Sequence, residues 1–194
     1  MLNKSSFDND KNVSSVVEQK IKVFALGGLD ENGKNMYCVE VNDTIFVIEA
    51  GIMIPDTTLL GVEFIIPDFT YLIENKDRIG GIFITHAHDD VMRAIPYLLK
   101  QIKVPVFTGI FTSMLLEDIF AKEKITDYDL RVIKRTDLFY INGIKIRTFA
   151  MTHSVPDSFG IAIHSDQGYI VYSGEYVFDY NIIVNEFNCD LNEL

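Results

Sequence analysis

Two histidines and two carboxylates are crowded into His86-Ala87-His88-Asp89-Asp90, directly after the apolar run 82–84 and Thr85. Half of the chain's four histidines lie in this stretch. In an extended or tight-loop backbone, side chains two residues apart point the same way, so His86 and His88 can converge on one point with Asp90 continuing the series. Imidazole nitrogens and a carboxylate converging at a strand end suit a zinc-like divalent cation. The spacing therefore predicts a metal site after a strand.

Two further stretches have the same layout. Thr152-His153-Ser154-Val155-Pro156-Asp157-Ser158 follows an apolar run, and Tyr172-Ser173-Gly174 delivers Glu175 at the end of another. Alone, His153 reads more readily as an ordinary exposed or satisfied histidine than as a ligand, and Glu175 alone carries almost no signal. Together with the first stretch they predict three strand ends, each presenting a group able to bind a metal. A sheet holds such side chains to the tight tolerance that a metal site needs. His164 falls within a strand pattern and has no chemical role in this reading.

The elements that must position these groups follow from periodicity and turn residues. Strands are predicted over 21–26, 36–41, 44–48, 82–84, 104–107, 129–134, 138–141, 144–150, 158–164 and 169–173. Helices are predicted over 69–77, with Asp68 as its N-cap, and over 92–102 and 111–122. Asn142-Gly143 is a strong hairpin turn. Continuously apolar strands alternating with single helices predict an α/β protein of layered sheets and helices. Residues 1–18, polar and without periodicity, read as a flexible tail, residues 19–180 as one domain, and 181–194 as an acidic C-terminal segment.

With 194 residues, 48% of them hydrophobic, the chain can bury a substantial core. The net charge of -11 opposes any role as a free-standing phosphate-binding surface, since affinity for nucleic acid comes mainly from Lys and Arg. Seven of the 17 basic residues lie between Lys122 and Arg147 against four acids, too mild a patch to carry RNA alone. Cys38 and Cys189 form no paired motif, so neither a disulfide framework nor a cysteine zinc site is expected. No apolar run is long enough to cross a bilayer, and the first residues are polar where a signal peptide would be apolar. A cytoplasmic location without membrane attachment is the expectation.

The chain resembles the metallo-β-lactamase superfamily, whose motif is His-x-His-x-Asp-His, and within it ribonuclease J. The resemblance is carried by Phe24-Ala25-Leu26-Gly27-Gly28-Leu29, Gly33-Lys34-Asn35-Met36-Tyr37, Ile66-Pro67-Asp68, Tyr71-Leu72-Ile73-Glu74-Asn75, Pro96-Tyr97-Leu98-Leu99, the His153 stretch and Phe178-Asp179. It implies an αββα sandwich, two zinc ions and hydrolysis of RNA phosphodiesters by a metal-bound hydroxide. His86, His88 and His153 match the histidines of the first zinc site, Asp90 matches the aspartate of the second, and Glu175 stands at the bridging aspartate. Asp90 and Glu175 are thereby the candidate catalytic carboxylates.

The departures from the family pattern matter as much. Val91 stands where the last histidine of the motif belongs, and a valine binds no metal. Glu49 and Glu175 each replace an aspartate, adding a methylene that moves the carboxylate by about 1.5 Å, against a tolerance in metal distances of about 0.2 Å. Arg93 and Ala94 replace small glycines, which would put a cation beside the intended cation site.

The resemblance also implies only the first part of the sandwich, without the β-CASP insertion and the C-terminal return that supplies a further histidine ligand. A fragment and a naturally short chain are both open. The expected function is that of a ribonuclease J-like subunit of RNA processing and decay, with a degenerate site holding one zinc ion at most. Such a subunit would be weakly active or inactive by itself. It would meet RNA within a complex or a longer chain, as a homo- or hetero-oligomer with an active paralogue. The alternatives are an active zinc-dependent ribonuclease, or other hydrolase of the same fold, and a scaffold domain without metal.

Overall fold

The computed structural model describes residues 19–179, 184, 187 and 189. The tail expected over 1–18 and most of the segment 181–194 lie outside them.

Among the described residues, ten strands form two sheets. The larger runs in sequence order through β1 (Ile21–Gly27), β2 (Met36–Val41), β3 (Thr44–Ile48), β4 (Ile79–Ile84), β5 (Pro105–Thr108) and β6 (Asp129–Val132). β1 to β3 are an antiparallel meander, turned at Asn42, whose φ of 55° is left-handed. β3 to β6 are parallel, and each parallel step needs a crossover. The crossovers carry α1 (Thr70–Glu74) with a 3-10 turn at Lys76–Arg78, then α2 (Asp89–Met92) with α3 (Ile95–Leu99), then α4 (Ile110–Lys122). The smaller sheet, in the order β10-β9-β8-β7, is antiparallel throughout, with β7 at Leu138–Ile141, β8 at Ile144–Ala150, β9 at Phe159–Ser165 and β10 at Gly168–Tyr172. Its first hairpin turns on Asn142 and Gly143, both with positive φ, as that dipeptide predicts.

Alternation along the strands creates two cores. Ile45 and Val47 of β3, Ile82 and Ile84 of β4 and Val106 of β5 face the helices, where Leu72, Ile95, Leu98, Leu116 and Phe120 meet them. Phe46, Ile48, Phe83 and Phe107 point the other way and pack on Ile144, Ile146, Ile161 and Ile163 of the smaller sheet. Phe83 stacks on Phe107 with ring centroids 4.9 Å apart. Gly81 leaves room for the Phe107 ring, since a Cβ there would fall 2.5 Å from it.

Three expectations shift. Asp68 accepts the Thr70 N–H at 2.8 Å, as its capping role requires, but α1 ends at Glu74 and continues only as the 3-10 turn. The single helix expected over 92–102 begins earlier, at Asp89, and is split in two. The Asp90 carbonyl, which a continuous helix would offer to Ala94, instead accepts the Asn35 N–H at 3.1 Å. The Ala94 N–H goes to the Ala50 carbonyl at 2.8 Å, and Pro96 has no N–H to give. Finally, the helices cover one sheet only. Among the described residues no helix lies over the outer face of the smaller sheet, where Leu138, Tyr140, Tyr169 and Val171 are about half exposed or more. The observed layers are α, β and β. No helix of the described residues is long and apolar enough to cross a membrane.

Candidate metal centre

The topology dictates which strand ends meet. In the smaller sheet β8 and β10 both run antiparallel to β9, so their C-terminal ends lie at one edge, where β9 begins. The Phe159 N–H at that edge donates to the Thr85 carbonyl at 3.2 Å, which ties it to the C-terminal end of β4. His86 and His88 after β4, His153 after β8 and Glu175 after β10 are therefore delivered to one place. The β4 turn is fastened further by the segment after β3. Glu49 N–H donates to Phe83 O at 2.9 Å, Ala50 N–H to Val91 O at 2.7 Å and Ile52 N–H to Asp89 O at 3.0 Å. Gly51 makes this approach possible, since a Cβ there would lie 1.5 Å from the Asp90 carbonyl oxygen.

The four side chains form a tight group whose ligand atoms all lie within 4.8 Å of one another. His88 Nδ1 and His153 Nε2 are 3.3 Å apart. Glu175 Oε2 lies 3.7 Å from His86 Nε2, 3.9 Å from His88 Nδ1 and 3.6 Å from His153 Nε2. A tetrahedral zinc ion with bonds of about 2.0–2.1 Å separates its ligand atoms by about 3.3–3.4 Å, so these spacings fit one such ion. His86 Nε2 is buried, lacks a hydrogen-bond partner and faces the group, and its ring is 1% exposed. A buried polar atom with no partner is costly, and a cation at this point would satisfy it. The His86 and His153 imidazoles are also pushed towards the neutral form that ligation requires. Burial first, then the neighbouring His153 and His88, push His86 down to about 3, and burial with His88 lowers His153. Burial and the adjacent Asp90 carboxylate push the Glu175 carboxyl up.

Of the five ligand candidates read from the sequence, four are in this group and Asp90 is not. The Asp90 carboxylate lies beside Glu175 and accepts the Asn35 side-chain amide at 3.0 Å, while the Asn35 oxygen accepts the Tyr37 hydroxyl at 3.1 Å. Val91 is buried, at 1% exposure. No second group of three ligating side chains occurs among the described residues. The cation expected beside the site from Arg93 is corrected. Its guanidinium turns to Asp89 at 3.4 Å, four residues back on the surface of the turn. His164 is exposed against the Tyr169 ring, away from the group.

Glu49 has a different role from that suggested by its place in the motif. It is fully buried and outside the group, with both oxygens on Thr85: Oε2 accepts the Thr85 N–H at 3.2 Å and Oε1 the Thr85 hydroxyl. Burial pushes its carboxyl up to about 8, against the Thr85 bonds and with the Asp90 and Glu175 charges. Thr85 Oγ1 in turn lies 2.9 Å from His86 Nδ1. The spacing argument missed Thr85, Asn35 and Tyr37 as contributors. The one available signal was a hydroxyl residue immediately before the first histidine.

A two-sheet α/β sandwich with a histidine-rich group at one common edge of its sheets is the arrangement of metallo-β-lactamase-fold proteins. No family model matches the chain. Solved structures with the same fold include a protein of unknown function from Enterococcus faecalis, with TM-score 0.60 and 17% identity over 80% of this chain and 43% of that one. Zn(2+)-bound PqqB from Methylobacterium extorquens gives TM-score 0.57 and 11% identity over 78% of this chain and 64% of its own. Human tRNase Z, short form, gives 0.51 and 14%, over 78% and 68%. In sequence the chain is 39% identical over 175 residues to ribonuclease J 2 of Staphylococcus epidermidis and 38% identical over 173 residues to that of Staphylococcus aureus. Each match covers 87% of this chain and 31% of the relative, so the chain spans about a third of the length of the curated relatives it matches. Over 87% of its length the chain is ribonuclease J-like in sequence, and its fold is that of the metallo-β-lactamase-type proteins.

Proposed function

We propose that the chain serves RNA processing and decay as a ribonuclease J-type subunit with a reduced metal site, holding one zinc ion through His86, His88, His153 and Glu175. The observation that carries this reading is the four-atom group itself, spaced for one tetrahedral ion, while Asp90 is engaged by Asn35 and Val91 is buried. In two-metal hydrolases the ions supply the attacking hydroxide and stabilise the leaving oxygen. Catalytic zinc sites keep a position open for water, whereas structural sites are closed by four protein ligands. Here Glu175 supplies the fourth ligand and Asp90 lacks the histidine that would share a second ion. Both features argue for weak or no hydrolysis by this chain alone, with Asp90 and Glu175 no longer working as a catalytic pair.

The partners in this reading are an active ribonuclease J paralogue and, through it or through a longer chain, RNA. The charge of -11 supports delegated rather than direct RNA binding. The exposed face of the smaller sheet supports the view that residues 19–180 are the first part of an αββα sandwich. The second helical layer, the β-CASP domain and the return would then belong to a longer chain in the cytoplasm.

Metal analysis after exhaustive dialysis tests the reading. We expect about one zinc per chain, lost on His86→Ala, and little cleavage of 5′-monophosphorylated RNA with zinc or manganese present. Absence of metal at stoichiometric zinc would sink the one-ion site and leave a scaffold domain. Efficient cleavage by the purified chain would establish an active zinc-dependent ribonuclease instead.

A further inference from the structure

We propose that Glu49 and Thr85 are positioning residues that fix which nitrogen of His86 carries its proton, so that Nε2 is presented to the histidine–glutamate group as a bare lone pair. The purpose of this device rests on reading that group as a metal site, but its geometry does not.

The Thr85 N–H can only donate, and its partner is Glu49 Oε2 at 3.2 Å. The other carboxylate oxygen faces the Thr85 hydroxyl, which has a single hydrogen to give. With Glu49 ionised and that hydrogen directed at its carboxylate, Thr85 Oγ1 has only lone pairs left for His86 Nδ1, 2.9 Å away. Nδ1 must then carry the proton, and Nε2 is the acceptor. The other tautomer would bury an Nε2–H that has no hydrogen-bond partner among the described residues, which is unfavourable. Carboxylates that act on a ligand histidine usually bond it directly, whereas here a hydroxyl stands between them.

The relay is clamped on every side. Glu49 holds a left-handed φ of 64°, uncommon for a residue with a long side chain, and its own N–H is anchored on Phe83 O. The Thr85 carbonyl is held by the Phe159 N–H. Gly174, directly before Glu175, packs so closely that a Cβ there would lie 3.1 Å from Thr85 Oγ1. Glu49, Thr85 and His86 are each no more than 1% exposed, so water cannot substitute for a missing member.

Glu49→Gln tests the assignment because it keeps size while removing the charge and the ability to accept at both atoms. The Thr85 N–H would claim the amide oxygen, the amide NH2 would then face Thr85 Oγ1, and the hydroxyl would turn to donate to His86 Nδ1. The experiment is nitrogen-15 NMR of the histidine rings in the metal-free full chain at pH 9, where the Glu49 carboxyl is ionised, followed by zinc titration. The unaltered chain should show His86 protonated on Nδ1. Glu49→Gln should move the proton to Nε2 and weaken zinc binding about 10–100-fold. Thr85→Ser should keep the original tautomer and Thr85→Val should lose it, and this pair carries the test if Glu49→Gln fails to fold. A Glu49→Gln or Thr85→Val chain that retains the Nδ1 proton overturns the proposal. If the unaltered chain binds no zinc, the metal reading fails, while the tautomer still decides the role of Glu49 and Thr85.

Discussion

At the scale of single residues, the site differs from a two-metal centre by a few atoms. Glu175, one methylene longer than the aspartate of the motif it resembles, places Oε2 within 3.9 Å of all three imidazole nitrogens, so that the group could offer four ligands to one ion. Val91 takes a buried place where a histidine would have offered a ring to Asp90. Reversing both changes should reopen the second site. In a chain of full family length, Val91→His with Glu175→Asp is expected to raise bound zinc from about one towards two per chain, read by metal analysis. An unchanged stoichiometry would show that the Asn35 amide on Asp90, and not the missing ligands, keeps the second ion out.

At the scale of elements, the decisive joint is between the end of β3 and the turn that carries the histidines. The Asn35 and Ala50 N–H groups capture the Asp90 and Val91 carbonyls, which a continuous helix would have used for itself. The same contacts hold His86 and His88 at fixed distance from the sheet. Gly51→Ala would set a methyl group against the backbone of Asp90, which has no flexible side chain to move aside. We expect a loss of roughly 3 kcal/mol, or about 6–12 °C in Tm, together with weakened zinc binding. Thermal unfolding with and without zinc would measure both, and a variant as stable as the original would show that the turn is pliable.

At the scale of the molecule, two faces have opposite character. The helix-facing core is closed around the larger sheet, and Cys38 in it is fully buried. Burial pushes its thiol up to about 12, with Glu40 adding to the shift. Since only the thiolate reacts, alkylation of Cys38 at pH 8 to 9 should follow global unfolding, whereas half-buried Cys189 should label first. Peptide mapping after a timed pulse of iodoacetamide checks this. Cys38 labelling as fast as Cys189 would mean that the core opens locally. The smaller sheet, by contrast, leaves Leu138, Tyr140, Tyr169 and Val171 in solvent.

Much of the candidate site was legible because side chains able to bind a metal are few in kind and their spacing at strand ends is local information. The i, i+2 histidines, the third histidine after an apolar run and the strand-end glutamate could all be named from residue type and alternation, as could the α/β layering and the Asn142-Gly143 hairpin. Sequence also determined what is missing, because a valine at position 91 has no lone pair whatever its surroundings. The tertiary structure alone decided which candidates share one point. Asp90, next in the series after His88, is taken away by an amide 55 residues earlier, and Arg93 turns to the surface. It also decided that Glu49 serves Thr85 rather than a metal, and that the helix after the histidines breaks. These outcomes depend on which backbone carbonyls and amides approach one another across the sheet, and such pairings between distant segments leave no local trace in residue type or period.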